Sequence, residues 1–119
     1  MTNQDKPLQT ESLGLIADRF KVLGDPLRLR LLHLMNEGER SVSDLVEASS
    51  ANQANVSKHL QILLRAGLVA RRKDGLKAFY QIKDPSIFEL CNLVCGRLSE
   101  QYEADLSAIA QLHAPREKS

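Results

Sequence analysis

Apolar residues first recur at helical intervals along this chain, then give way to two short runs, then return to helical spacing. Leu13, Ile16, Ala17, Phe20 and Leu23 share one side of a helix expected from about Glu11 to Leu23. Gly24 ends it, and Asp25-Pro26 opens a second helix with a cap and a proline at the first helical position. That helix, "PLRLRLLHLM", closes near Asn36-Glu37-Gly38, and Ser41 or Ser43 caps a short third one over Val42–Ala48. Asn52 is the N-cap expected for a fourth helix that runs to about Ala66 and stops at Gly67. Val56, Leu60, Leu63 and Leu64 form its buried side, while Ala54, Asn55, Ser57, Lys58, Gln61 and Arg65 lie around the other.

"LVARR" and "KAFYQI" then read as two strands joined across Lys73-Asp74-Gly75-Leu76, a hairpin signal. Asp84-Pro85 caps a long last helix, Ser86 to Leu112. The order of four helices, a hairpin and a fifth helix describes a mainly α protein, a winged helix-turn-helix. Residues 11–112 are expected to form that domain, between a flexible N-terminus, 1–10, and a flexible tail, 113–119. There is no internal repeat and no low-complexity linker.

Net charge is only +1 over 119 residues, but it is unevenly spread. Residues 41–83 hold seven basic and three acidic side chains, net +4, whereas residues 84–119 hold three and six, net −3. The positive segment is the polar-faced helix with its hairpin, the charge footprint of a polyanion-binding surface. No apolar run reaches the ~20 residues needed to span a bilayer, and "MTNQDKPLQT" lacks a signal-peptide core. The expected location is the cytoplasm, where thiols stay reduced.

A helix that enters a major groove must offer small or hydrogen-bonding side chains in its first turns. Gln53, Asn55, Ser57 and Lys58 meet that need: the amides match adenine edges, and Ser and Lys serve bases or phosphates. His59 lies nearer the core side, which favours a phosphate contact or a buried hydrogen bond over base reading. Arg71, Arg72, Lys73 and Lys77 on the hairpin suit a neighbouring backbone or minor groove, supplying affinity more than sequence choice.

"LGDPLRLRLLHLM" at Leu23–Met35 and "ANVSKHLQILLRAGLVARRKDGLKAFYQI" at Ala54–Ile82 resemble the ArsR/SmtB family of bacterial winged-helix repressors. The resemblance covers about Phe20 to Cys95 and implies a homodimer that blocks a promoter until an inducer loosens its grip on DNA. It also implies double-stranded operator DNA, an imperfect palindrome, as partner, with no enzymatic activity and no cofactor needed for DNA binding. Relatives that sense soft metals often carry "ELCVCDL" on the third helix; here the matching stretch is Glu39-Arg40-Ser41-Val42-Ser43-Asp44-Leu45. Serine hydroxyls replace both thiols and cannot act as soft ligands.

The only two cysteines, Cys91 and Cys95, lie instead on the last helix, four residues apart on a stripe with Ile87, Val94, Leu98 and Tyr102. That stripe suits a dimer face, pairing the first and last helices of two copies. At this spacing Cβ atoms are ~5–6 Å apart, too far for the ~3.5–4.5 Å of an undistorted disulfide. One soft atom held by two thiolates spans the gap more easily, so the pair is expected to take a thiophilic inducer, trivalent arsenic or another soft metal(loid). Arsenite would need a third ligand from the partner; zinc or cadmium would need further donors, with Glu89, Glu100, Glu103 and His113 the weak candidates. The alternatives are a redox or persulfide switch at the same pair, or cysteines that only pack. His33, inside an apolar helix, is expected to be a satisfied core histidine.

Overall fold

A computed structural model of the chain describes residues 9–112, with side chains as far as Asp105. The expected 1–10 terminus falls almost wholly, and the 113–119 tail with His113 wholly, outside the described residues. The chain divides between Asp84 and Pro85 into two compact units.

The first unit holds helices α1 (Thr10–Leu23), α2 (Pro26–Leu34), α3 (Val42–Ser49) and α4 (Gln53–Arg65), and strands β1 (Arg40–Ser41), β2 (Val69–Asp74) and β3 (Lys77–Ile82). The helix starts are those the sequence dictates. Asp25 accepts from the backbone N–H groups of Leu27 and Arg28 at 2.9 and 3.1 Å. Ser41, rather than Ser43, caps α3 through the Asp44 N–H, and Asn52 caps α4 through the Asn55 N–H at 2.8 Å.

The Arg28 N–H bond is the main cause that holds the Asp25 carboxyl below its ordinary value of 3.8. A depressed carboxylate stabilises above that ordinary value, and its contribution is lost as pH falls through the lower folded value. Asp25→Ala is therefore expected to cost about 1 kcal/mol near neutrality. Urea midpoints should show that difference at about pH 6 and a smaller one at about pH 2.5.

α4 ends in a Schellman turn: Gly67 takes φ +79°, its N–H donates to Leu64 O, and Leu68 N–H donates to Leu63 O. Only glycine adopts that φ without strain. Arg19 of α1 donates to the next free carbonyl, Ala66 O, at 2.9 Å, and pairs with Asp84 at 3.6 Å. Arg19 thus ties α1 both to the end of α4 and to the segment that follows β3.

The strands form one antiparallel sheet of order β1-β3-β2. β1 was not expected; two residues carry no legible period, and it exists because Arg40 and Ser41 pair with Tyr80 and Phe79. The hairpin is also tighter than the four-residue link the sequence suggested. Asp74 pairs with Lys77, leaving Gly75 and Leu76 as the loop, with Gly75 at φ +64°. Glycine at the first loop position is the II′ pattern, which matches strand twist.

The core gathers Leu31, Leu32 and Met35 from α2 and its cap, Leu45 from α3, Val56, Leu60 and Leu63 from α4, and Leu68 and Val69 beyond it, all essentially inaccessible. Leu64 is only half-buried at the edge of this face. His33 corrects the expectation of a core histidine. Leu31 and Leu32 take the buried side of α2, so His33 is turned outward, with Nδ1 at 2.8 Å from Leu29 O. On α1 only Leu23 is buried; Leu13, Ile16 and Phe20 are exposed, Phe20 at 56 %. The helix forms over the expected span, but its apolar stripe is left exposed apart from Leu23.

The second unit is α5 (Ser86–Leu112). Ile87 is buried, whereas Leu93, Val94, Leu98 and Tyr102 are exposed.

Candidate nucleic-acid interface

Burial of Val56, Leu60 and Leu63 fixes which way the rest of α4 points. Gln53, Ala54, Asn55 and Lys58 are exposed, and Ser57 and Gln61 are half-buried at the flank. The first two turns thus present two amides, a hydroxyl and an ammonium to solvent from a rigid helix. The fully packed core behind them keeps their Cα positions fixed.

His59 is half-buried, and its Nδ1 lies 2.8 Å from Arg28 Nη1. Guanidinium has no acceptor, so this bond requires an unprotonated Nδ1 and leaves the ring proton on Nε2. Arg28 also donates from Nε to Val22 O and from Nη2 to Lys21 O, tying the end of α1 to the middle of α4. Of the roles expected for His59, a hydrogen bond within the fold is present, to Arg28.

The wing cations divide by strand alternation. Arg71 pairs with Tyr80 and Lys73 with Ala78, so these share one face of the hairpin; Arg72 pairs with Phe79 on the other. Arg71, Lys73 and Lys77 are exposed. Arg72 is already engaged. It makes a two-pronged bond to Glu39 at 2.8 and 3.0 Å, lies 3.9 Å from Asp74, and stacks 4.6 Å from the Phe79 ring centroid. The Arg72 hydrogen bonds lower the Glu39 pKa, and the same pair raises that of Arg72. For Arg72, binding a phosphate would exchange one anion for another.

Glu39 and Arg28 were not singled out in the sequence. Their partners are 33 and 31 residues away, and no local pattern signals such a bond.

Between α4, the start of α3 and the wing lies a cleft of about 280 Å³ that Gln53 and Ser57 line from the α4 side. It brings two of the expected base-facing residues and Lys77 of the expected backbone grip to a single concavity.

Cys91 and Cys95 are free thiols on α5, Cys91 half-buried and Cys95 exposed. Among the described residues, no group of three or more His, Cys, Asp or Glu side chains converges as a metal site. Glu100 pairs with Arg97 at 3.6 Å, and Glu89 and Glu103 are exposed on the same helix. Among the described residues, no third ligand therefore stands with the two thiols as tetrahedral zinc would require. Among the described residues no helix is long and apolar enough to cross a membrane.

The signature of the arsR family of bacterial regulatory proteins matches residues 25–71. The chain is 40 % identical over 74 residues to a Streptomyces lividans protein named "Probable mercury resistance operon repressor", covering 62 % of this chain and 59 % of that one. The chain thus spans about six-tenths of that relative's length. A crystal structure of the antimony-specific transcriptional repressor AntR superposes with a TM-score of 0.72 at 30 % identity, covering 86 % of this chain and 94 % of that one. The homodimeric winged helix-turn-helix DNA-binding domain Mb0332 of Mycobacterium bovis, a possible ArsR-family regulator, gives 0.68 at 27 % identity over 95 % and 99 % of the two chains.

Proposed function

Since the chain belongs to the ArsR family of bacterial regulatory proteins, we propose that it is a homodimeric cytoplasmic repressor that releases its operator when a thiophilic inducer binds Cys91 and Cys95. The family is one of transcriptional regulators rather than enzymes. The observation that carries the DNA-binding half is α4. Val56, Leu60 and Leu63 on its inner face are fully buried while Gln53, Asn55 and Lys58 are exposed beside a basic wing.

In this reading α4 enters the major groove of each half-site and its amides read base edges. Lys58, Arg71, Lys73 and Lys77 neutralise phosphates. Arg72 holds the wing to the loop carrying Glu39 more than it grips DNA, and His59 positions α4 through Arg28. The exposed apolar residues of α1 and those of α5 are each covered by the partner subunit, as large apolar side chains grouped on a surface are costly to leave wet.

The inducer half rests on two free, partly accessible thiols one helical turn apart. A monosubstituted trivalent arsenical with two hydroxyls suits them. Two As–S bonds replace two As–OH bonds, and each thiol proton leaves with a hydroxide as water. The similarity to proteins named for mercury and antimony supports a soft inducer. Binding there biases the dimer toward an arrangement whose recognition helices no longer match the operator.

Salt-dependent anisotropy on a promoter duplex tests the interface. Lys58→Ala and Arg71→Ala should each lower the log–log salt slope by about 1, and Arg72→Ala by clearly less. Equal losses for all three would return Arg72 to the DNA contact. The absence of any duplex binding would make this a protein-interaction module.

A further inference from the structure

The cleft between α3, α4 and the wing has a composition that neither base reading nor wing charge explains. Three serines, Ser41, Ser43 and Ser57, line it with Gln61, the buried Tyr80 and Lys77, beside the apolar Val42, Leu76 and Ala78. It contains no carboxylate and only one cationic residue. Gln61 Nε2 donates to Tyr80 Oη at 3.3 Å, so the phenol proton is left to donate elsewhere. Ser41 Oγ accepts the Asp44 N–H as the α3 cap, so its own proton is likewise free for a second partner. Arg71 and Lys73 lie on the same face of the hairpin as Tyr80 and Ala78. A concavity lined by several hydrogen-bond donors, with one cationic residue in its lining and two cations on the sheet face that carries Tyr80, complements a monoanion with several acceptor oxygens.

A phosphodiester is such a group, and the cleft opens between the two elements assigned to DNA. We propose that it receives one backbone phosphate of each operator half-site, held by Lys77 and by the Ser43, Ser57 and Tyr80 hydroxyls. This rests on the DNA-binding reading above and deepens it. Ser43 in the first turn of α3 becomes a phosphate donor here, and Gln61 is a positioning residue that orients the Tyr80 hydroxyl. A phosphate seated there would link helix and wing, fixing the register in which α4 enters the groove.

The test replaces one phosphate at a time across a half-site with a neutral methylphosphonate and measures duplex affinity by anisotropy. Wild-type protein, Lys77→Gln and Tyr80→Phe are compared; the last keeps the buried ring and removes only the hydroxyl. Wild type is expected to lose about tenfold in affinity at one particular phosphate, the size of a charge-assisted hydrogen bond. Both variants should bind the unmodified duplex more weakly and lose less than wild type at that same position, with the other positions unchanged. Variants that keep the full wild-type sensitivity at every position would overturn the inference while leaving DNA binding intact. Competition by inorganic phosphate at constant ionic strength, with no position-specific loss on the duplexes, would assign the cleft to free phosphate and overturn it too. A wild-type protein that binds no duplex would overturn the underlying reading, and this inference with it.

Discussion

Leu60→Ala is expected to lower the unfolding free energy by about 2–5 kcal/mol, the range for a fully buried leucine whose cavity the neighbours only partly fill. Leu60 is wholly inaccessible in the middle of α4, one turn after Val56 and one turn before Leu63 on the same buried face. Truncating it removes the packing that fixes the helix against α2 and α3, so duplex affinity should fall although no DNA contact is touched. Lys58→Ala, two residues away and exposed, should leave stability within about 0.5 kcal/mol and still weaken DNA binding. Urea unfolding followed by far-UV circular dichroism separates the two. A Leu60→Ala midpoint equal to that of Lys58→Ala would show that α4 is not anchored as described.

The second large effect is on regulation. Cys91→Ser or Cys95→Ser should abolish release by an arsenical while DNA affinity without inducer stays within about twofold of wild type, since neither thiol has a role in the interface. Inducer coupling in such systems is worth about 1–3 kcal/mol, or 5–150-fold in affinity, and each single substitution should bring that ratio to one. The chemistry is all-or-none because one remaining thiol cannot close a two-sulfur chelate. Serine is the right replacement: it keeps the size and removes the soft donor. Release that survives in both variants would return Cys91 and Cys95 to packing roles and place the signal elsewhere. Release by a persulfide donor or an oxidant but by no arsenical would make the pair a redox switch.

Much of this was legible from the chain alone, for definite reasons. Asp25-Pro26, Ser41 and Asn52 fix helix starts because each side chain bonds a backbone N–H two or three residues on. Gly67 fixes a helix end because its φ is positive. The buried face of α4 followed from period alone, and with it the exposed Gln53, Asn55 and Lys58.

Features that depend on distant contacts were not legible. β1 exists only through its partner strand, and the tight Gly75-Leu76 loop follows from strand register. His33 was expected in the core because its neighbours are leucines; which side of α2 is buried is decided by α3 and α4. Arg72 looked like any other wing cation until Glu39 and Phe79 were seen to hold it. The hydroxyl-lined cleft draws on α3, α4 and β3 at once, and no single stretch announces it.

The most direct test of the account is fluorescence anisotropy of the reduced protein on its own promoter DNA, titrated with a monosubstituted trivalent arsenical. Tight, salt-sensitive binding that the arsenical reverses, with about one arsenic bound per chain, is the predicted result. Tight binding that neither this arsenical nor arsenite relieves would contradict the claim that Cys91 and Cys95 are the arsenic sensor of this repressor.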